Sequence, residues 1–187
     1  MQSIGRRAFL KFGAIAVAAP APLTACSSGF QRELRFNTFQ QAWKEFERLA
    51  AARELRSHGP DGKSGWTLAQ IASHCAQSIE MSIGGFPELR HALFRATAGR
   101  VAFAVFSARG SMSHDVTEPI PGAPAIAADV PLGAATKRLH AVIAVFEEDR
   151  GPLRPHFAYG ELSRPAYTAA HVMHLANHFS RIEVVRT

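Results

Sequence analysis

The stretch AAHVMHLANHFSRI, residues 169–182, sets three of the chain's nine histidines, His171, His174 and His178, within eight residues. At about 100° per residue, His174 and His178 lie about 40° apart around a helix, and His171 lies about 60° from the first and about 20° from the second. All three share one helical face. Upstream, Ser163 with Pro165 two residues on has the form of a helix start, so the histidines ride on a final helix rather than in a loop. An i, i+4 histidine pair can offer two imidazoles to one divalent ion, and a third ligand must then come from another helix. The reading is therefore of helices packed on helices.

The rest of the chain supplies those partners. In FNTFQQAWKEFERLAAAREL, Phe36, Phe39, Trp43, Phe46 and Leu49 recur every three or four residues, with Asn37 or Thr38 able to cap and SHGPDGKSG (57–65) closing the helix. A second helix opens at WTLAQIASHCAQSIEMSIGG, where Thr67 and Gln70 form a capping box and Gly84-Gly85 gives the stop. Leu68, Ile71, Cys75, Ile79 and Ser82 trace its buried stripe, with His74 one step round. PELRHALFRATAGRVAFAVFSARG predicts a third, central helix over about 87–108, apolar on most sides in its second half. Residues 110–131 are rich in Pro, Gly and Ser and lack either period, which makes them a long loop of the kind that often carries function. LGAATKRLHAVIAVFEED then resumes helical spacing, and only IEVVRT at the end has a strand's character. The expected fold is an all-α, four-helix bundle with a long crossover loop.

His74 lies mid-helix with apolar neighbours, where an unpaired imidazole needs a partner, and is the best third ligand. Three imidazoles with open positions suit zinc, nickel or iron(II). Cys75 follows directly, about 100° round, and reads as a small buried hydrophobe. His58, His91, His114 and His140 read as surface or structural residues, although His114 stands in the long loop and can swing over a pocket. There is no Gly-x-Ser-x-Gly, no Gly-rich phosphate loop and no His-Glu-x-x-His. Glu80 and Glu161 are the carboxylates nearest the site segments, and no general base is visible.

The mid-helix histidine of LAQIASHCAQSIE and the His-x-x-x-His pair of HLANHFSRI resemble the DinB-like superfamily of four-helix bundles. RPHFAYGELSRPAYTAAHVMHLANHFSR is closer to one branch, known as a domain of unknown function, with a His-Pro-Phe-Phe-Gly-x-Leu segment before the last helix. The resemblance spans about residues 36–182. It implies a divalent metal held by His74, His174 and His178. His156, followed by Gly160-Glu161-Leu162, matches the segment before the last helix, and His156 and His171 are expected in a second shell.

The N-terminus has a different character. GRRAFLK, an Ala-rich apolar run and LTAC follow one another as the charged, hydrophobic and cleavage regions of an export signal. Arg6-Arg7 before Phe9-Leu10-Lys11 resembles a twin-arginine signal, which exports folded proteins, and Leu23-Thr24-Ala25-Cys26 is similar to a bacterial lipobox. The expected organisation is a signal peptide over 1–25, acylation of Cys26, a tether over 26–35 and the helical domain over 36–187. Cleavage removes Arg6, Arg7 and Lys11 and lowers the formal net charge from +6 to +3. The remaining cations are scattered among acids, so nucleic acid is not an expected partner. Cys75 would remain alone, without an intrachain disulfide.

The expectation is thus an exported protein, lipid-anchored on the periplasmic or other extracytoplasmic side of a bacterial envelope. Its expected partners are the membrane surface and a second copy of the chain in a homodimer. Metal-dependent hydrolysis is favoured over thiol transfer, since small cytosolic thiols are scarce outside the cell. The alternative is a non-catalytic metal-binding or interaction lipoprotein.

Overall fold

The computed structural model describes residues 29–60 and 63–185. The expected signal peptide with Arg6 and Arg7, and the expected acylation site Cys26, lie outside the described residues. The described residues are mostly helical: α1 (Phe39–Ala50), α2 (Leu68–Gly84), α3 (Ala92–Ala96), α4 (Ala98–Arg109), α5 (Leu132–Glu148) and α6 (Arg164–Phe179). Two short strands, β1 (Leu55–Ser57) and β2 (Ile182–Val184), pair antiparallel with Leu55 opposite Val184 and Ser57 opposite Ile182. The class is all-α with one small ribbon.

The helix starts follow their local chemistry. Thr38 Oγ1 accepts from the Gln41 amide at 3.2 Å, and Ser163 Oγ accepts from the Ala166 amide at 3.3 Å. The capping box at α2 is complete, since Thr67 Oγ1 accepts from the Gln70 amide and the Gln70 side chain accepts from the Thr67 amide at 3.0 Å. Each such cap is worth about 1 kcal/mol, because it satisfies amides that the helix leaves unpaired.

Packing of α1, α2, α5 and α6 makes the core. Helix α2 lies against α5 and α6, and α6 also lies against α1. Phe39, Phe46 and Leu49 from α1, Ile71 and Ile79 from α2, Leu139 and Phe146 from α5, and Leu175 and Phe179 from α6 are all buried. Each such side chain contributes about 1.5–3 kcal/mol by leaving water. Helix α2 buries more than its expected stripe: Ser73, His74, Gln77 and Ser78 are buried beside Leu68, Ile71, Cys75, Ile79 and Ser82.

Two expectations are corrected. The first helix ends at Ala50, because Leu55–Ser57 are drawn into pairing with Ile182–Val184. The central helix expected over 87–108 is two helices on the surface. Thr97 breaks it with backbone angles of −122° and −93°, its amide bonding Phe94 O and its hydroxyl donating to Leu93 O. Helix α4 buries only Gly99. Packing among α1, α2, α5 and α6 already fills the core, so the apolar side chains of α4 stay outside it. Gly99 is where α4 meets the segment before α6: a Cβ there would overlap the Ala158 carbonyl, so only glycine permits the approach. Phe103 leans on Tyr159 of the same segment, with ring centroids 5.4 Å apart.

The long loop is pinned rather than loose. Met112, Val116 and Ile120 are buried, Gln77 Nε2 donates to Pro124 O at 2.9 Å, and Asn177 Nδ2 donates to His114 O at 3.4 Å. Among the described residues, no helix is long and apolar enough to cross a membrane.

Candidate metal centre

The expected ligands meet. His74, from the middle of α2, and His174 and His178, from successive turns of α6, bring their Nε2 atoms together: 3.2 Å separate His74 from His174, and 3.0 Å separate His178 from His174. One nitrogen from each lies within 4.8 Å of the others. Tetrahedral zinc with Zn–N bonds of about 2.0–2.1 Å needs ligand nitrogens about 3.3–3.4 Å apart, close to the separations of His174 from His74 and from His178.

The electrostatics favour lone pairs over protons. His74 and His178 are buried, and burial followed by the neighbouring histidines holds His178 and His174 well below the usual imidazole pKa. His74 is lowered to about 3, chiefly by burial and then by His114. Three neutral imidazoles facing one point cannot all donate to and accept from one another. In addition, the Nδ1 atoms of His74 and His178 are buried without a hydrogen-bond partner among the described residues. Unpaired buried polar atoms cost about 1–3 kcal/mol each, and with Nε2 turned to the shared point these Nδ1 atoms carry the ring protons. A cation at the shared point would use the Nε2 lone pairs, which makes the donor set chemically apt for zinc, nickel or iron(II).

Trp66, which sequence reasoning did not place at the site, and His114, which it allowed to swing over a pocket from the long loop, adjoin the cluster. Trp66, just before the α2 cap, stacks parallel to His178 at 6.3 Å and meets His74 edge-on at 5.0 Å. His114 is carried in by the long loop, with its ring 5.1 Å from His174 and 5.2 Å from His178. Its Nδ1 donates to Asp115 O at 2.8 Å, which leaves Nε2 as the lone-pair atom. The length of the loop was the signal that could have found it.

A cavity of about 330 Å³ opens beside the cluster, reached by His74 and His174 and lined further by His114, Glu118, His156 and Tyr159. Glu118, also from the loop, supplies a carboxylate that the sequence reading lacked. Glu80 faces away and makes a two-point ion pair with Arg138 of α5, at 2.8 and 2.6 Å.

The expected outer residues, His156 and His171, both line the cavity that His74 and His174 reach. His171 sits in the core between Phe39, Phe146 and Tyr167, and its Nε2–H donates to Ser82 Oγ at 3.2 Å, because that hydroxyl spends its own proton on Ile79 O. His156 lines the cavity, but none of its ring contacts is with a cluster histidine. Of the histidines read as structural, His58 meets Glu183 at 2.9 Å, His91 caps α3 and His140 packs on Trp43. Cys75 is fully buried, and burial pushes its thiol far above the ordinary range.

Fold and site together define a helical domain that converges three neutral imidazoles from two helices beside an open cavity. The chain belongs to the family described as "Protein of unknown function (DUF1569)", which it matches over residues 30–184. No curated protein and no solved structure matches it.

Proposed function

We propose that this is a DinB-like four-helix-bundle protein that holds one divalent metal through His74, His174 and His178 and hydrolyses a small substrate in the adjoining cavity. The bundle is α1, α2, α5 and α6, with α3, α4 and the 110–131 loop as the long crossover. The observation that carries the reading is the convergence of the three Nε2 atoms next to open space, since a catalytic ion needs a free position. A bound ion supplies Lewis acidity and a water acidic enough to be a nucleophile near neutral pH. Around it, His114 holds its own proton at Nδ1 and keeps Nε2 free for another, Glu118 offers a carboxylate, and Trp66 shields the cluster from water.

The alternative, an ion that only clamps α2 to α6, makes a different prediction about the metal-free chain. A catalytic ion on a finished core should be removable with the fold intact, so chelator treatment is expected to leave the far-ultraviolet circular dichroism of the helices unchanged. Collapse of the helical signal on chelation would instead identify a structural clamp.

The N-terminal sequence supports export as a folded protein and a lipid anchor at Cys26, on the extracytoplasmic side of a bacterial envelope. We further propose that a second copy of the chain packs on the α3–α4 face. Helix α4 is apolar on most sides, Leu93 is 66% and Val101 64% exposed, and a helix of that composition belongs under cover. A twofold axis would bury the same patch on both chains. The Cys26→Ser chain is expected to leave the membrane fraction and to sediment as a dimer. Retention on membranes would remove the lipid anchor from the account, and a monomer at micromolar concentration would remove the homodimer.

A further inference from the structure

His156 presents one ring edge to its own turn and lines the cavity. Its Nδ1 accepts from two backbone amides, those of Ala158 at 3.1 Å and Tyr159 at 3.2 Å. A nitrogen that accepts two N–H donors carries no proton, so the neutral ring must carry its proton on Nε2. Burial keeps the ring neutral, lowering its pKa to about 3.

The ring is also immobile. His156 and Gly160 exchange both backbone hydrogen bonds, at 2.8 and 3.1 Å, across a turn that Gly160 closes at φ +75°. Tyr159 stacks on the imidazole at 4.2 Å and 9°, Phe157 at 4.6 Å, and Phe86 packs at 5.1 Å. With only 7% of its surface exposed, His156 lines the cavity. Its Nδ1 edge is spent on the turn, yet Nε2–H has no acceptor among the described residues. A fixed, neutral donor that opens onto the cavity and has no protein acceptor is available to whatever enters.

The partner's chemistry follows from the surroundings. A neutral donor suits an uncharged acceptor oxygen, and the rings of Phe94, Phe157 and Tyr159, which line the same cavity, suit an apolar body. His74 and His174 reach the same cavity, which places such an oxygen in the compartment that the metal centre opens into. We propose that the cavity binds a small acyl compound, an ester or amide with an apolar body, and that His156 Nε2–H holds its carbonyl oxygen. This names the substrate class for the hydrolytic reading and rests on that reading for the chemistry. The binding itself needs no metal.

The test uses the full-length chain, first with chelator and then with zinc, with benzamide as the acyl probe and toluene as the probe without oxygen. Long-range proton–nitrogen NMR should find His156 in the Nε2–H form, with that proton shifting when benzamide is added. In His156→Asn the side-chain oxygen can still accept from the turn amides but its N–H donors fall short of the Nε2 position, whereas His156→Gln carries an N–H donor out to about that position. Benzamide affinity is expected to fall about tenfold in the Asn variant, the loss of one hydrogen bond, and to be largely kept in the Gln variant, while toluene binding stays unchanged in both. An Nδ1–H form of His156, or equal benzamide affinity in wild type and His156→Asn, would overturn the proposal. A chain that takes up no zinc would sink the metal reading but leave the chelator arm to decide this one.

Discussion

Acidification from about pH 7.5 to about pH 5 is expected to cost the metal-free chain about 4 kcal/mol of stability, about 2 from each of His156 and His171. Both groups are lowered to about 3 in the fold by burial, whereas an unfolded histidine titrates near 6.5. Below about pH 6.5 the unfolded chain therefore binds protons that the folded chain refuses. Stability is fully present above that pH and is lost as the pH falls toward about 3. The cluster histidines shift in the same direction and add to the loss. Against an ordinary stability of about 5–15 kcal/mol, this is a large fraction. Denaturant titrations at a series of pH values would measure it, and a flat profile between pH 7.5 and 5 would mean that these rings open to solvent far more readily than their packing implies.

Replacing His178 with leucine is expected to reverse sign with zinc. In chelator, His178→Leu should be as stable as the parent or more stable by up to about 1–3 kcal/mol, because it removes a buried Nδ1 that lacks a partner. In zinc at about a thousand times the dissociation constant, the parent should gain about 4 kcal/mol while the variant gains little. Thermal melts of both chains with and without zinc measure the crossing. Parallel melts in which zinc moves neither chain would mean that the cluster is only a packed histidine face.

Much of this architecture was legible in the sequence because it rests on local chemistry. Thr38, Thr67 with Gln70, and Ser163 with Pro165 mark helix starts by hydrogen bonds that span only three residues. The i, i+4 spacing of His174 and His178 likewise fixed their shared face, and His74 followed from the cost of an unpaired imidazole among apolar neighbours. What stayed hidden depends on contacts distant in sequence. Helix α4 looks like a core helix by composition, and only the packing of the other four long helices excludes it. His114 lies in a loop with no periodic signal, brought to the cluster by Met112, Val116 and Ile120 and by the bond from Asn177. The role of His156 lay in two backbone amides of its own turn, a geometry that no spacing of side chains reveals.

The central claim is that His74, His174 and His178 hold a divalent ion, and elemental analysis of the purified full-length chain beside a His174→Ala/His178→Ala variant tests it most directly. About one divalent ion per parent chain and none in the variant is expected, with both chains folded. Absence of metal from the parent after growth and purification in zinc, nickel or iron(II), with its fold intact, would contradict it.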